Sequence, residues 1–163
     1  MNVNIVPVTA EYDAKLSEII HAVGVEYGAV GDGFGPSDEE VKAMSQFYTE
    51  DRKSLYLLAF VEDQLVGGCG VAPFLDSADT CELKKLFLLK EGRGLGVGRK
   101  LSEMCLAFGK QQGFERCYLD TLSNMKQAVF LYEKMGFSHL DKPLEGTLHN
   151  GCDVWMLKSL SDG

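Results

Sequence analysis

Apolar residues at Leu16, Ile19, Ile20 and Val23 fall at helical spacing, which predicts a helix from about Tyr12 to Val25. Before it, the short apolar run Val3 to Val8 predicts a first strand, and Pro7 places that strand at an edge or an end. Glycines and Pro36 then break the chain. Ser37 and Glu40 have the Ser-x-x-Glu spacing of a capping box and predict a second helix running toward Glu50. Two apolar runs, Ser54 to Val61 and Leu65 to Leu75, flank Asp63-Gln64 and predict a strand, turn and strand. A further strand follows over Cys81 to Leu89. Gly98 to Gly113 predicts a helix with Leu101, Cys105, Leu106 and Phe108 inward, stopped by Gly113. Glu115 to Leu122 predicts a strand, and Asn124 to Gly136 a helix. Phe137 to Lys142 and Cys152 to Leu160 close as strands around an irregular stretch.

The resulting order is β-α-α-β-β-β-α-β-α-β-β. Helices interleaved with an uninterrupted run of three strands imply a mixed sheet in an α/β (α+β mixed) fold. The chain has 163 residues, no internal repeat and no linker, so residues 1–163 are expected to form one domain.

Composition narrows the function classes. The net charge of −8 argues against nucleic acid as a partner, because phosphate binding needs a basic face. No apolar run approaches the ~20 residues that cross a bilayer, and the first residues lack the pattern of a signal peptide. Cys69, Cys81, Cys105, Cys117 and Cys152 are odd in number and contain no Cys-x-x-Cys pair. Reduced thiols, a cytoplasmic location and no metal site are expected. His21, His139 and His149 are equally dispersed. The charge is uneven, however. Between Glu82 and Lys100, Lys84, Lys85, Lys90, Arg93, Arg99 and Lys100 face only Glu82 and Glu91. A basic island in an acidic chain points to one anionic ligand held in one place.

That island contains "EGRGLGVGRKL", Glu91 to Leu101, between a strand and a helix. A glycine turn there lets backbone N–H groups approach an anion at the positive end of the helix. Two common glycine fingerprints fail. The dinucleotide pattern G-x-G-x-x-G needs a third glycine where this chain has Val97, Arg99 or Leu101, depending on register. The P-loop pattern fails because Lys100 precedes Leu101 rather than Ser or Thr.

Arg93-Gly94-Leu95-Gly96-Val97-Gly98 instead resembles the [R/Q]-x-x-G-x-[G/A] pyrophosphate loop of the GNAT superfamily of acyl-CoA N-acyltransferases. Its setting strengthens the likeness. Cys81 to Leu101 resembles that family's fourth strand, loop and third helix. Leu119 to Phe137, with its Ala-x-x-Leu-Tyr-x-x-x-Gly-Phe run from Ala128, resembles the fifth strand and fourth helix. The resemblance implies a mostly antiparallel sheet of six to seven strands flanked by about four helices. It also implies acetyl-CoA as co-substrate, with Arg93, Gly94, Leu95, Gly96, Val97, Gly98 and Arg99 around its pyrophosphate. The backbone of Leu86, Phe87 and Leu88 would hold the acetyl carbonyl and pantetheine.

For chemistry, the resemblance implies direct attack of an amine on the thioester in a ternary complex. Glu82, eleven residues before Arg93, takes the place of the family's general base; pairing with Lys84, two residues on, is the alternative reading. Tyr132 takes the place of the tyrosine that protonates the departing thiolate; packing on an amphipathic helix is its alternative. The family's Asn-x-x-Ala contact to pantetheine falls on Met125 here. Asn124, one residue earlier, is expected to cap the helix, with a weaker expectation of cofactor contact. The resemblance also implies that Asp120 and Thr121, at the end of the fifth strand, lie close to the acceptor. Thr121 and Ser123 are candidates for cofactor or substrate contact, or for capping.

The acceptor is expected to be a small amine or amino-acid-like molecule, met by Glu26, Tyr27, Asp32, Asp38 and Glu39 in a glycine-loosened segment. The same carboxylates would also suit a soluble loop and a helix start. Two rival readings are a protein or peptide N-acetyltransferase and a non-catalytic acyl-CoA-binding module. A homodimer is a common arrangement in the family.

Overall fold

The computed structural model describes residues 2–29, 31, 34, 36, 38–147 and 151–161. Strand β1 (Val3–Pro7) lies at one edge of a seven-stranded sheet. There, Pro7 ends the strand opposite Leu57, where its missing N–H does least harm. Helix α1 (Asp13–Glu26) follows, then α2 (Met44–Phe47), β2 (Leu55–Val61), β3 (Gln64–Pro73) and β4 (Thr80–Leu88). Helix α3 (Val97–Gln111), β5 (Arg116–Thr121), α4 (Lys126–Lys134), β6 (Ser138–His139) and β7 (Val154–Ser159) complete the chain. The strand order is β1-β2-β3-β4-β5-β7-β6. All neighbours are antiparallel except β4 and β5. The mixed, mostly antiparallel architecture is the one expected.

Alternation along the strands builds two cores. On β2, Leu57, Ala59 and Val61 point to a core shared with α3 and Tyr132 of α4. Tyr56 and Leu58 point the other way, toward Leu16, Ile19, Ile20 and Val23 of α1 and Met44 of α2. Helix α3 buries Leu101, Cys105 and Leu106, with Phe108 packed at the margin, as its spacing predicts.

Two local expectations change. The segment expected to be one second helix is a 3-10 turn over Glu39–Ala43, the short α2, and another 3-10 turn over Glu50–Arg52. Ala43, at φ −148° and ψ 56°, breaks the helical path. Tertiary contacts replace the missing helix: Asp13 Oδ1 accepts the Ser45 N–H at 2.9 Å, so a side chain of α1 serves the first turn of α2. Ser37, half of the expected capping box, lies outside the described residues, as do Asp32 and His149.

The β2–β3 turn is centred on Glu62 and Asp63, one residue earlier than expected, because Gln64 already pairs with Val61. Both turn residues have positive φ, 50° and 68°, which matches the twist of tight hairpins. On β3, Gly67 has no substitute: a Cβ there would sit 1.9 Å from the Phe87 carbonyl oxygen.

Candidate active site

Strands β4 and β5 pair only over Thr80 to Glu82 against Arg116 to Tyr118. Beyond Glu82 they part, and the sheet opens into a wedge. Strand β4 also carries a bulge. Gly70 of β3 faces Lys84 and Gly68 faces Phe87, so β4 holds one residue more than β3 across this stretch. Lys85 takes the extra place at φ +57°, and Tyr56 donates its hydroxyl hydrogen to the Lys85 carbonyl at 2.8 Å.

The bulge shifts the alternation of β4 by one. Before it, Leu83 joins the α3 core; after it, Phe87 joins the α1 core, and Leu86 and Leu88 pack against the α3 side. Lys84 and Lys85 consequently both reach Glu40, at 3.6 and 3.1 Å.

Two clefts meet at the wedge. The first, about 230 Å³, lies between the β4–α3 turn, the end of α1 and the start of α4. Leu86, Leu88, Arg93, Gly94, Gly96, Val97, Gly98 and Arg99 line it. Gly94 and Gly96 have φ of 76° and 78°, and a Cβ on either would meet no atom within 4 Å. Conformation therefore requires glycine here, while the space beside it stays open. Gly96 is the N-cap of α3, and the Lys100 N–H returns to its carbonyl at 3.1 Å. The N–H groups of residues 97–99 precede that bond and have no acceptor within the helix.

Arg93 is held in an unexpected way. Its Nη1 and Nη2 donate to the two carboxylate oxygens of Glu26 at 2.7 and 2.6 Å, and its Nε donates to the Leu88 carbonyl at 2.9 Å. Its guanidinium also lies 5.5 Å from the centre of the Tyr27 ring. Arg99 is half exposed and pairs with Glu103 one turn along α3, at 3.2 Å.

The second cleft, about 60 Å³, contains Glu82, Lys84, Lys85, Asp120 and Tyr132 among its walls. Leu86 and Met125 line both clefts and mark where they join. Lys85, with a side chain 1% exposed, binds Asp38 at 2.7 Å as well as Glu40. Glu40 also accepts the Tyr48 hydroxyl. Burial would raise the Glu40 pKa, but Lys85 and Lys84 outweigh it and hold the carboxyl below its usual value. Burial, then the Glu40 charge, pushes the Tyr48 phenol well up.

Across the cleft, Asp120 Oδ2 accepts from Tyr118 at 3.3 Å and from Thr147 at 2.7 Å. Tyr132 is 6% exposed, with its ring edge-on to Phe137. Burial raises its pKa well above that of a free phenol, and nearby thiols add to the effect. It is therefore protonated throughout the neutral range.

The structure thus brings Glu82, Phe87 and Tyr132 to one cleft and most of the glycine-loop residues to the other, with Leu86 in both. Leu95 is exposed and Asn124 lies off both walls. The expected capping role of Asn124 is corrected. Met125 is the N-cap of α4, with no side-chain cap bond, and the Asn124 amide instead donates to the Tyr27 carbonyl at 2.8 Å. That bond pulls Asn124 toward α1 and away from the α4 N–H groups. Ser123 is likewise committed, its N–H and hydroxyl binding Asp153 at 2.8 and 2.7 Å. Thr121 lines the second cleft and bonds Met125 Sδ at 3.6 Å.

The expected acidic acceptor segment divides. Glu26 and Tyr27 serve the first cleft, Asp38 neutralises Lys85, and Glu39 faces solvent. Sequence reasoning placed Asp120 near the acceptor, where it lines the second cleft, but missed Lys85 and the bridging place of Met125. Adjacent Lys84 and Lys85 inside a predicted strand, where one should face each way, were the available sign of a bulge.

Among the described residues, no group of three or more His, Cys, Asp or Glu side chains could hold a metal ion. No helix there is long and apolar enough to cross a membrane. All five cysteines are free thiols, four of them buried.

The sequence profile of the Acetyltransferase (GNAT) family matches residues 25–137. The Escherichia coli K12 protein named "Uncharacterized N-acetyltransferase YjgM" is 36% identical over 154 residues, spanning 93% of this chain and 92% of that protein. Human N-acetyltransferase 8 is 30% identical over 101 residues, 60% of this chain and 44% of that one. A GNAT-family acetyltransferase structure from Staphylococcus aureus Mu50 superposes with a TM-score of 0.82 at 22% identity, over 98% of this chain and 99% of that one. The PaiA N-acetyltransferase of Thermoplasma acidophilum, solved with coenzyme A, gives 0.77 at 21% identity over 98% and 99%.

Proposed function

This chain belongs to the GNAT family of acetyltransferases, and from that premise we propose that its 163 residues form a single N-acetyltransferase domain using acetyl-CoA and a small primary amine. The observation that carries this reading is the meeting of the two clefts at Leu86 and Met125. One cleft has glycine-loop backbone and a helix start suited to a pyrophosphate, and the other has a carboxylate and a phenol suited to acyl transfer.

The fit to the donor rests on this chain's own geometry. Open space beside Gly94 and Gly96 admits phosphate oxygens close to the backbone, and the N–H groups of residues 97–99 supply donors. Arg99 adds positive charge on the same wall. The half-buried Leu86 and Leu88 give the wedge an apolar lining for a pantetheine arm. Acetyl-CoA supplies the activated thioester.

In the second cleft, Glu82 is 7% exposed, and in this reading it is the base that takes a proton from the acceptor. Most amines are protonated at neutral pH, so the carboxylate removes a proton and leaves a nucleophilic nitrogen. As the new C–N bond forms and the C–S bond breaks, the Tyr132 hydroxyl donates a hydrogen bond to the departing sulfur. Because burial raises its pKa, Tyr132 contributes hydrogen-bond donation to the thiolate more than complete proton transfer.

Calorimetry with acetyl-CoA, followed by a thiol-release assay over a panel of amines, tests the reading. Micromolar binding with amine-dependent thiol release is expected. Binding without release from any amine would leave an acyl-CoA-binding module, and no binding would remove the donor assignment.

A further inference from the structure

The bulge leaves two lysines side by side with unequal company. Lys85 is sealed from solvent and bonded to Asp38 at 2.7 Å and Glu40 at 3.1 Å. Lys84 reaches Glu40 only at 3.6 Å, outside ordinary hydrogen-bond range, and its side chain keeps 16% exposure on the wall of the second cleft. Glu40 is already occupied by Lys85 and the Tyr48 hydroxyl, so it offers Lys84 a shared charge rather than a dedicated partner.

Lys84 nevertheless stays charged. Burial alone would lower its pKa, but Glu82 first, and then Glu40 and Asp38, hold it above the usual lysine value. The cleft therefore presents an ammonium group within a wall that also carries Glu82 and Asp120. Glu82 and Lys84 lie two residues apart on β4, about 6.6 Å along the strand. A small molecule can span that separation with one group at each.

We propose that the acceptor is a small amino acid, whose amine meets Glu82 while its carboxylate binds Lys84. The assignment rests on the acetyltransferase reading above. An amine without a carboxylate would leave the Lys84 ammonium only carboxylates that it shares with other groups, Glu82, Glu40 and Asp38. A cleft of about 60 Å³ favours a compact acceptor over a peptide segment. A peptide N-terminus also lacks the carboxylate, having an amide in its place.

The test uses the full chain, acetyl-CoA and matched acceptor sets such as alanine, alaninamide and ethylamine, or leucine, leucinamide and isopentylamine. Thiol release should show kcat/KM about tenfold or more higher for an amino acid than for its amide or decarboxylated amine. In Lys84→Gln that ratio should collapse toward one through KM for the amino acid, and Lys84→Arg should restore part of it. The melting shift produced by acetyl-CoA reports on the donor site separately. If acetyl-CoA binds and amides or simple amines are preferred, or no amino acid is accepted, the inference is overturned and the donor assignment stands. An unchanged preference in a folded Lys84→Gln would also overturn it. Failure of acetyl-CoA to bind would overturn both.

Discussion

Arg93 and Glu26 form a two-pronged ion pair, with both terminal guanidinium nitrogens on both carboxylate oxygens at 2.7 and 2.6 Å. The pair ties the glycine turn to the end of α1. The Arg93 hydrogen bond also holds the Glu26 carboxyl below its usual pKa. An arginine so engaged must exchange partners before it can serve an incoming phosphate.

Glu26→Gln is therefore expected to tighten acetyl-CoA binding by about three- to tenfold, by removing that competition. Arg93→Ala should weaken it by about tenfold and flatten its salt dependence. Calorimetry at two ionic strengths reads both. Weaker binding in Glu26→Gln would show that the pair holds the site in its binding form instead.

Tyr132→Phe keeps the ring against Phe137 and removes only the hydroxyl. We expect kcat to fall about ten- to a hundredfold with little change in melting temperature. An unaltered kcat would discard the hydroxyl as a partner of the leaving group.

Lys85→Met should destabilise the fold by about 3–5 kcal/mol, since it leaves Asp38 and Glu40 short of their buried counter-ion. Urea unfolding measures it. A loss below about 1 kcal/mol would mean that Lys84 takes over as the counter-ion.

Acid should act through Glu40. Its folded pKa lies below its ordinary value of 4.5, so its stabilisation is present above that value and is lost as pH falls through the depressed one. Melting temperature is expected to drop between about pH 5 and 3. Glu40→Gln should be less stable near neutrality and show a shallower acid slope. Parallel slopes for the two proteins would assign the acid sensitivity to other carboxylates.

The elements were legible wherever local spacing decides them. Leu16, Ile19, Ile20 and Val23 sit at helical intervals, and α1 buries all four. The glycine turn was legible because its residues are consecutive. What stayed hidden depends on partners distant in the chain. Lys85 meets Asp38 across 47 positions, and Arg93 meets Glu26 across 67. Asn124 left its expected cap for a carbonyl 97 residues away. The bulge is a property of two strands in register, and only the pairing of β3 with β4 reveals it. The second helix failed for a similar reason: Val41 and Met44 keep helical spacing, while contacts to Lys85 and Asp13 set the backbone.

The brief pairing of β4 with β5 makes a mechanical seam. Strands β1 to β4 all precede it in the chain and β5 to β7 all follow, so it divides the sheet into two contiguous segments joined by three residue pairs. A molecule wedged into the seam touches both segments, and its binding free energy is at the same time cohesion between them. Pulled apart at its ends, the sheet should part here first, and later when the wedge is filled.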